Sequence, residues 1–149
     1  MEIEKKYLVK NIPFDLENYK QSYIEQGYIN RTPVIRVRKQ DNDLILTVKG
    51  SGHLSREEFE LNLSNEEFNN LWTKIQKKPI VKTRYFIPIE NNLIAELDIY
   101  ESDLKGLKTV EVEFNNINDA DNFKAPKWFG DDITYNKKFK NNNLYYDGI

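Results

Sequence analysis

Cysteine is absent from this chain, which excludes disulfide frameworks, thiolate zinc sites and cysteine nucleophiles together. Histidine occurs once, at His53, so a multi-histidine metal site is excluded as well. Neither sign of charge dominates: 22 Lys plus Arg stand against 24 Asp plus Glu, for a net charge of −2. A uniformly basic nucleic-acid surface is therefore excluded, although a local basic patch is not. No run approaches the length of a membrane span, and residues 1–12 lack the apolar stretch of a signal peptide. No GxxxxGK[ST] or GxGxxG loop is present, which leaves P-loop and Rossmann routes without support. Internal repeats and linker-like stretches are missing too. What remains is a chain of 149 residues, the size of one ordinary domain, so residues 1–149 are expected to form a single cytoplasmic domain. Hydrophobic residues make up 39% and charged residues 31%, too apolar for a disordered chain and rich in charge for its size. Any chemistry must come from carboxylates, lysines, arginines and hydroxyls.

Most of the chain reads as short period-2 segments. Strands are predicted at 2–9, 34–40, 43–49, 55–62, 80–88, 93–100 and 108–114, with Asp41-Asn42 as a tight hairpin turn between the second and third. Helical patterns are predicted at 15–26, with Tyr19, Tyr23 and Ile24 on one side, and at 65–77. The second opens with Ser64-Asn65-Glu66-Glu67, a capping-box signature, and sets Phe68, Leu71, Trp72 and Ile75 at helical spacing. A third short helix is expected after Asn118, ending before Pro126. The Lys- and Asn-rich tail from Asn136 reads as loose, with Phe139, Leu144 and Tyr145 as packing points.

Alternate residues of a strand share a face. One face carries Glu2, Glu4 and Lys6; Arg36 and Arg38; Lys49; Arg56, Glu58 and Glu60; Lys82 and Arg84; Glu96 and Asp98; Glu111 and Glu113. The opposite face carries Ile3, Ile35, Val37, Leu44, Leu46, Val48, Phe59, Leu61, Leu97, Ile99, Val110, Val112 and Phe114. A solvated antiparallel sheet with a charged outer face is the plainest account of any one strand. Ionic faces on all seven are harder to dismiss, because like charges at i and i+2 repel unless opposite charge lies between them. A sheet curled until these faces meet would set an acidic cluster beside a basic one. That arrangement is costly when dry and reasonable when filled with water, divalent metal and a polyanion. Oxygen ligands without His or Cys suit Mg2+, Mn2+ or Ca2+ rather than zinc or copper. Arginine forks and lysine ammoniums suit phosphoryl oxygens.

The ordered set Glu2-Ile3-Glu4-Lys5-Lys6, Arg36-Val37-Arg38, Thr47-Val48-Lys49-Gly50, Arg56-Glu57-Glu58-Phe59-Glu60, Lys82-Thr83-Arg84-Tyr85, Glu96-Leu97-Asp98-Ile99-Tyr100, Leu104-Lys105-Gly106-Leu107 and Glu111-Val112-Glu113-Phe114 resembles the CYTH superfamily, the triphosphate tunnel metalloenzymes. Its first element fits the ExExK signature, and Lys138-Phe139-Lys140-Asn141 resembles the basic, aromatic tail motif of small bacterial members. The resemblance implies a mainly β (α+β) fold: a closed eight-stranded antiparallel barrel with helices packed outside. The strand pattern supplies seven, so an eighth is expected near 28–33 or in the tail.

By the same resemblance, Lys6, Arg36, Arg38, Lys49, Arg56, Lys82, Arg84 and Lys138 would hold triphosphate oxygens. Glu2, Glu4, Glu111 and Glu113 would hold metal, with Glu58, Glu60 and Asp98 as further ligands and Glu96 and Tyr100 as orienting groups; the alternative for Glu58 and Glu96 is a structural role, holding lumen arginines in place. Glu2, Glu4, Lys6 and Lys82 would be catalytic. Bridging metal (Mg2+ or Mn2+) would neutralise phosphate charge, and a second metal or a carboxylate would activate the attacking water. The family contains inorganic, nucleoside, thiamine and RNA triphosphatases and class IV adenylate cyclases. Small size and the lack of an extra domain favour inorganic tripolyphosphate, with cyclase and nucleoside or thiamine triphosphatase activity as alternatives. A polyphosphate-binding module is the non-enzymatic alternative, against which the paired carboxylates argue. A barrel for single-stranded nucleic acid would alternate aromatic with basic residues, and here Val and Ile take those places. No stable nucleic-acid or membrane partner is expected, and a homodimer is compatible with a small barrel. His53 reads as an exposed loop residue, Trp72 as core and Trp128-Phe129 as a hydrophobic plug.

Overall fold

The computed structural model describes residues 1–51 and 54–149; His53 lies outside the described residues. Among the described residues one nine-stranded antiparallel sheet forms, from β1 (Glu2–Leu8), β2 (Lys20–Asn30), β3 (Val34–Gln40), β4 (Asp43–Lys49), β5 (Ser55–Arg56), β6 (Glu58–Asn62), β7 (Ile80–Pro88), β8 (Ile94–Tyr100) and β9 (Lys108–Glu113). Their order is β5-β1-β9-β8-β7-β2-β3-β4-β6. The two edge strands are separated in the chain by Glu57 alone. β5 pairs with β1 through Glu2↔Arg56, and β6 pairs with β4 through Lys49↔Glu58. The segment 55–62 thus joins both edges of the sheet and nearly closes it into a barrel of eight chain segments, as expected, with that segment counted as two strands. β1 continues past β5, and there residues 130–134 take over: Gly130 N–H donates to Leu8 O, and Ile133 N–H to Lys6 O at 2.8 Å.

All seven strands legible from alternation are present, within a residue or two at their ends. The helix predicted at 15–26 is not: that stretch holds a 3-10 turn, Leu16–Asn18, and then β2, which is the eighth strand. Tyr19, Tyr23 and Ile24 mimic a helical stripe, yet Ser22, Ile24, Gln26 and Tyr28 are all buried, which is strand periodicity. Their shared face carries no charge, so it lacked the mark by which the other strands were found.

α1 (Asn65–Trp72) has the expected capping box, Ser64 accepting from the Glu67 N–H and Glu67 from the Ser64 N–H. It ends at Trp72 rather than 77, and Ile75 then leans on β2, where a Cβ on Gly27 would come within 2.6 Å of it. α2 (Ile117–Asp121) overlaps the start of the third predicted helix but ends at Asp121, well short of Pro126. The tail is ordered: a 3-10 turn at Lys137–Phe139 leads into α3 (Asn141–Asp147), with Leu144 and Tyr145 buried.

Apolar burial forms two clusters. One cluster joins Tyr7, Leu97, Val110, Val112 and Phe114 to Ala120 and Phe129; Trp128 and Phe129 pack there edge-to-face, as the plug reading expects. A second seats Leu144 and Tyr145 of α3 on Tyr28, Ile80, Tyr100, Leu104 and Leu107. Trp72 is half-buried and stacked on Phe68 at 5.0 Å. With the apolar faces turned outward under helices and loops, the charged faces are left to line the interior. No helix among the described residues is long and apolar enough to cross a membrane.

Candidate active site

The interior holds a cavity of about 980 Å³, at the upper end of the usual range for small-molecule sites. Glu2, Glu4, Lys6, Arg36, Arg38, Lys49, Arg56, Glu58, Glu60, Arg84, Glu96, Glu111 and Glu113 all line it. Register explains the convergence. Glu4 lies opposite Glu113 and Lys6 opposite Glu111 across β1 and β9, while Glu111 faces Glu96 across β9 and β8.

Four of the residues singled out from the sequence do not line the cavity. Asp98, expected as a metal ligand, is fully buried, and both of its oxygens are taken. Oδ1 accepts from Arg84 Nε at 2.7 Å; Oδ2 accepts from Lys82 Nζ at 2.7 Å and from the Arg84 guanidinium at 2.9 Å. Burial alone would raise this carboxyl, but Arg84 and Lys82 outweigh it and hold it at about 2. Lys82, expected on the substrate, is fully buried behind that pair with its ammonium 5.3 Å from the Tyr100 ring. Burial, opposed by Asp98 and aided by Arg84 and Arg38, lowers the Lys82 ammonium to about 7. Tyr100 is fully buried on the face of Glu96 and Asp98 and donates its hydroxyl to Asn141 Oδ1 at 2.6 Å, a contact with the tail. Lys138 stacks over Phe139, and its neighbours Lys137 and Lys140 line the cavity instead. Strand alternation gives the face of a residue but not its depth, and depth separates Lys82, Asp98 and Tyr100 from the rest, whereas Lys138 is exposed on the tail's 3-10 turn.

The remaining cations fall into two kinds. Arg56 donates to Glu2 at 3.1 Å and Glu4 at 2.8 Å, and Lys49 contacts Glu2 and Glu58 at 3.3 and 3.6 Å. Arg36 and Arg38 make no ion pair among the described residues. A terminal nitrogen of Arg36 donates to Thr47 Oγ1 at 3.1 Å and its buried Nε has no hydrogen-bond partner among the described residues, while Arg38 Nε donates to Gln26 Oε1 at 3.0 Å. Burial, then Arg36 and Arg84, lower Arg38 to about 9. Two buried guanidiniums on neutral acceptors suit an anion. Gln26 and Thr47, which hold these guanidiniums, and Tyr28, which holds Gln26, are the residues the charge pattern overlooked. Period-2 spacing from Ser22 to Tyr28 was the signal available for Gln26 and Tyr28.

The acidic side has the opposite deficit. Burial, then Glu111 and Glu2, raise the Glu4 carboxyl to about 8. Glu111 is held well below its ordinary value against burial by Lys6, 3.9 Å away, and Arg84. Carboxylates crowded until one keeps its proton suit a hard cation, and all the donors are oxygens. Among the described residues no three acidic groups already converge as a cage. The set therefore suits a cation that keeps water or phosphate oxygens among its ligands.

No family model matches the chain. It is 36% identical over 147 residues to an inorganic triphosphatase of Nitrosomonas europaea, spanning 96% of this chain and 95% of that one. It is 33% identical to an inorganic triphosphatase of Acetivibrio thermocellus, over 96% and 92% of the two chains. The crystal structure of an inorganic triphosphatase superposes with a TM-score of 0.72 at 30% identity, covering 97% of this chain and 94% of that one. An adenylyl cyclase-like protein from Hippeastrum, described as having dominant triphosphatase activity, shares the fold at 15% identity with a TM-score of 0.59 over 81% and 83% of the chains. Near-full-length identity above 30%, the barrel and the ordered charged motifs agree: this chain belongs to the inorganic triphosphatase family of the CYTH superfamily, the triphosphate tunnel metalloenzymes, a membership that implies a divalent metal.

Proposed function

We propose that this protein hydrolyses inorganic tripolyphosphate to pyrophosphate and phosphate with the help of a divalent cation, Mg2+ or Mn2+, in the cytoplasm. The observation that carries the reading is that one cavity holds Arg36 and Arg38 without counter-charge and Glu4 crowded by Glu2 and Glu111. A polyanion meets the first deficit and a cation the second, and a metal-bound triphosphate meets both.

Arg36, Arg38 and Arg84, with Lys6, Lys49, Lys137 and Lys140 around them, would bind phosphoryl oxygens. Glu2, Glu4, Glu111 and Glu113 would hold the cation, with Glu58 fixing Lys49, Glu96 fixing Arg84 and Glu60 accepting from Thr47. The bound cation supplies charge neutralisation on the phosphates and lowers the pKa of water. The side chains hold the chain of phosphates in line, so that a water oxygen bonds to the terminal phosphorus as the bridging P–O bond breaks. Pyrophosphate leaves with the electron pair, and the water proton passes to an acidic-side carboxylate. Lys82 and Asp98 would act from behind the wall by fixing Arg84.

Product analysis tests this, with tripolyphosphate, ATP and thiamine triphosphate offered separately, each with and without Mg2+. Metal-dependent phosphate release, fastest from tripolyphosphate, is expected. Cyclic AMP with pyrophosphate from ATP would make the protein a cyclase, and tight binding without turnover would make it a polyphosphate-binding module.

A further inference from the structure

We propose that Gln26 is a positioning residue for triphosphate binding, holding the Arg38 guanidinium toward the cavity while leaving its charge uncompensated. The inference rests on the triphosphatase reading. Gln26 is fully buried on β2 and does not itself line the cavity. It lies directly across from Arg38 of β3. Its Oε1 accepts from Arg38 Nε at 3.0 Å, and its Nε2 donates to Tyr28 Oη at 3.0 Å. The amide orientation is forced, because arginine can only donate, so the oxygen must face Arg38 and the NH2 must find the hydroxyl. With Nε gripped, the terminal nitrogens remain for the cavity, where among the described residues their one hydrogen bond is a long 3.5 Å approach to Gln40.

The choice of an amide follows from the neighbours. β2 lies between β3, with Arg36 and Arg38, and β7, with Lys82 and Arg84. Its inward residues Ser22, Ile24, Gln26 and Tyr28 are all uncharged. A carboxylate at position 26 would satisfy the same geometry and cancel the charge that attracts the substrate. Arg84 shows that alternative, since Asp98 grips its Nε at 2.7 Å.

The test compares Gln26→Glu and Gln26→Met in the full chain by thermal melting and by steady-state kinetics with tripolyphosphate and Mg2+. Gln26→Glu is expected to melt no lower than wild type yet raise KM about tenfold or more, the scale of one charge-assisted contact, with kcat within about twofold. Gln26→Met is expected to melt lower and raise KM similarly, because Arg38 loses its anchor. A purely packing role would instead tie any loss of activity to a loss of melting temperature. A KM for Gln26→Glu within about twofold of wild type overturns the proposal. Should that variant not fold, the KM of Gln26→Met decides by the same threshold. Wild-type protein that does not turn over tripolyphosphate would overturn the triphosphatase reading, and this inference with it, before any variant is made.

Discussion

Arg84 and Arg38 are gripped alike at Nε by a buried side chain of a neighbouring strand, Asp98 for the first and Gln26 for the second. The chemistry of the grip differs. On the β7–β8 wall the charge is matched within the protein, as Asp98 takes both Lys82 and Arg84, and Glu96 adds a contact to Arg84 at 3.5 Å. On the β2–β3 wall, among the described residues, Arg36 and Arg38 are offered only the neutral oxygens of Thr47, Gln26 and Gln40. The matched wall contributes to holding the barrel together, and the unmatched wall keeps its attraction for an external anion. The contrast teaches that charged interior strands are not equivalent binding surfaces: the buried acceptor behind each cation decides what remains for a ligand.

The largest effect should come from breaking the matched wall. Asp98→Asn leaves Lys82 and Arg84 buried beside a neutral amide and should cost about 3–5 kcal/mol of stability, read by denaturant unfolding. Next, Glu111→Gln should lower kcat about a thousandfold or more while the melting temperature moves little, because the acidic side loses a carboxylate that Lys6 and Arg84 keep ionised. Normal turnover in this variant would remove the metal-side assignment. Arg38→Ala should raise KM for tripolyphosphate about 10–100-fold with a smaller change in kcat, whereas unfolding should shift by less than in Asp98→Asn.

A pH series sharpens the same contrast on the acidic side. Glu4 titrates near 8 in the folded protein against 4.5 for the free group. Between those values the folded state holds a proton that the unfolded state has lost, so this group makes stability fall as pH rises from 4.5 to about 8. A cation must displace that proton, so Mg2+ affinity should weaken by up to about tenfold per pH unit below 8, and Glu4→Gln should flatten the dependence, as calorimetry in two buffers would show. The smallest effect is expected from Lys140→Ala. Burial first, then Arg56, lowers this ammonium to about 8, and its removal should raise KM about two- to threefold, with the change fading at pH above 8.

Wherever inward faces were ionic, the strands and their lumen residues were legible from alternation alone, from Glu2 and Glu4 to Glu111 and Glu113. β2 was hidden for the very reason that it matters, since Ser22, Ile24, Gln26 and Tyr28 carry no charge and Tyr19, Tyr23 and Ile24 happen to fall at helical spacing. The different duties of Asp98 and Glu96, two residues apart on one face, depend on how deep each lies in the wall, and a period of two carries no depth. Tyr100 was misplaced for the same reason, Lys138 because a tail turn has no strand period to place it, and the tail's order depends on Leu144 and Tyr145 finding Tyr28, far away in sequence.

The sheet order also sets a timetable for synthesis. β2, β3 and β4 are neighbours both in the chain and in the barrel, so the hairpin bearing Arg36 and Arg38 can form from local contacts. Glu4 must instead wait for Glu113, near the other end of the chain, because β1 pairs with β9. A nascent chain halted before residue 108 would already own the arginine hairpin and would lack half of its carboxylate set, able to attract a polyphosphate before it could cleave one.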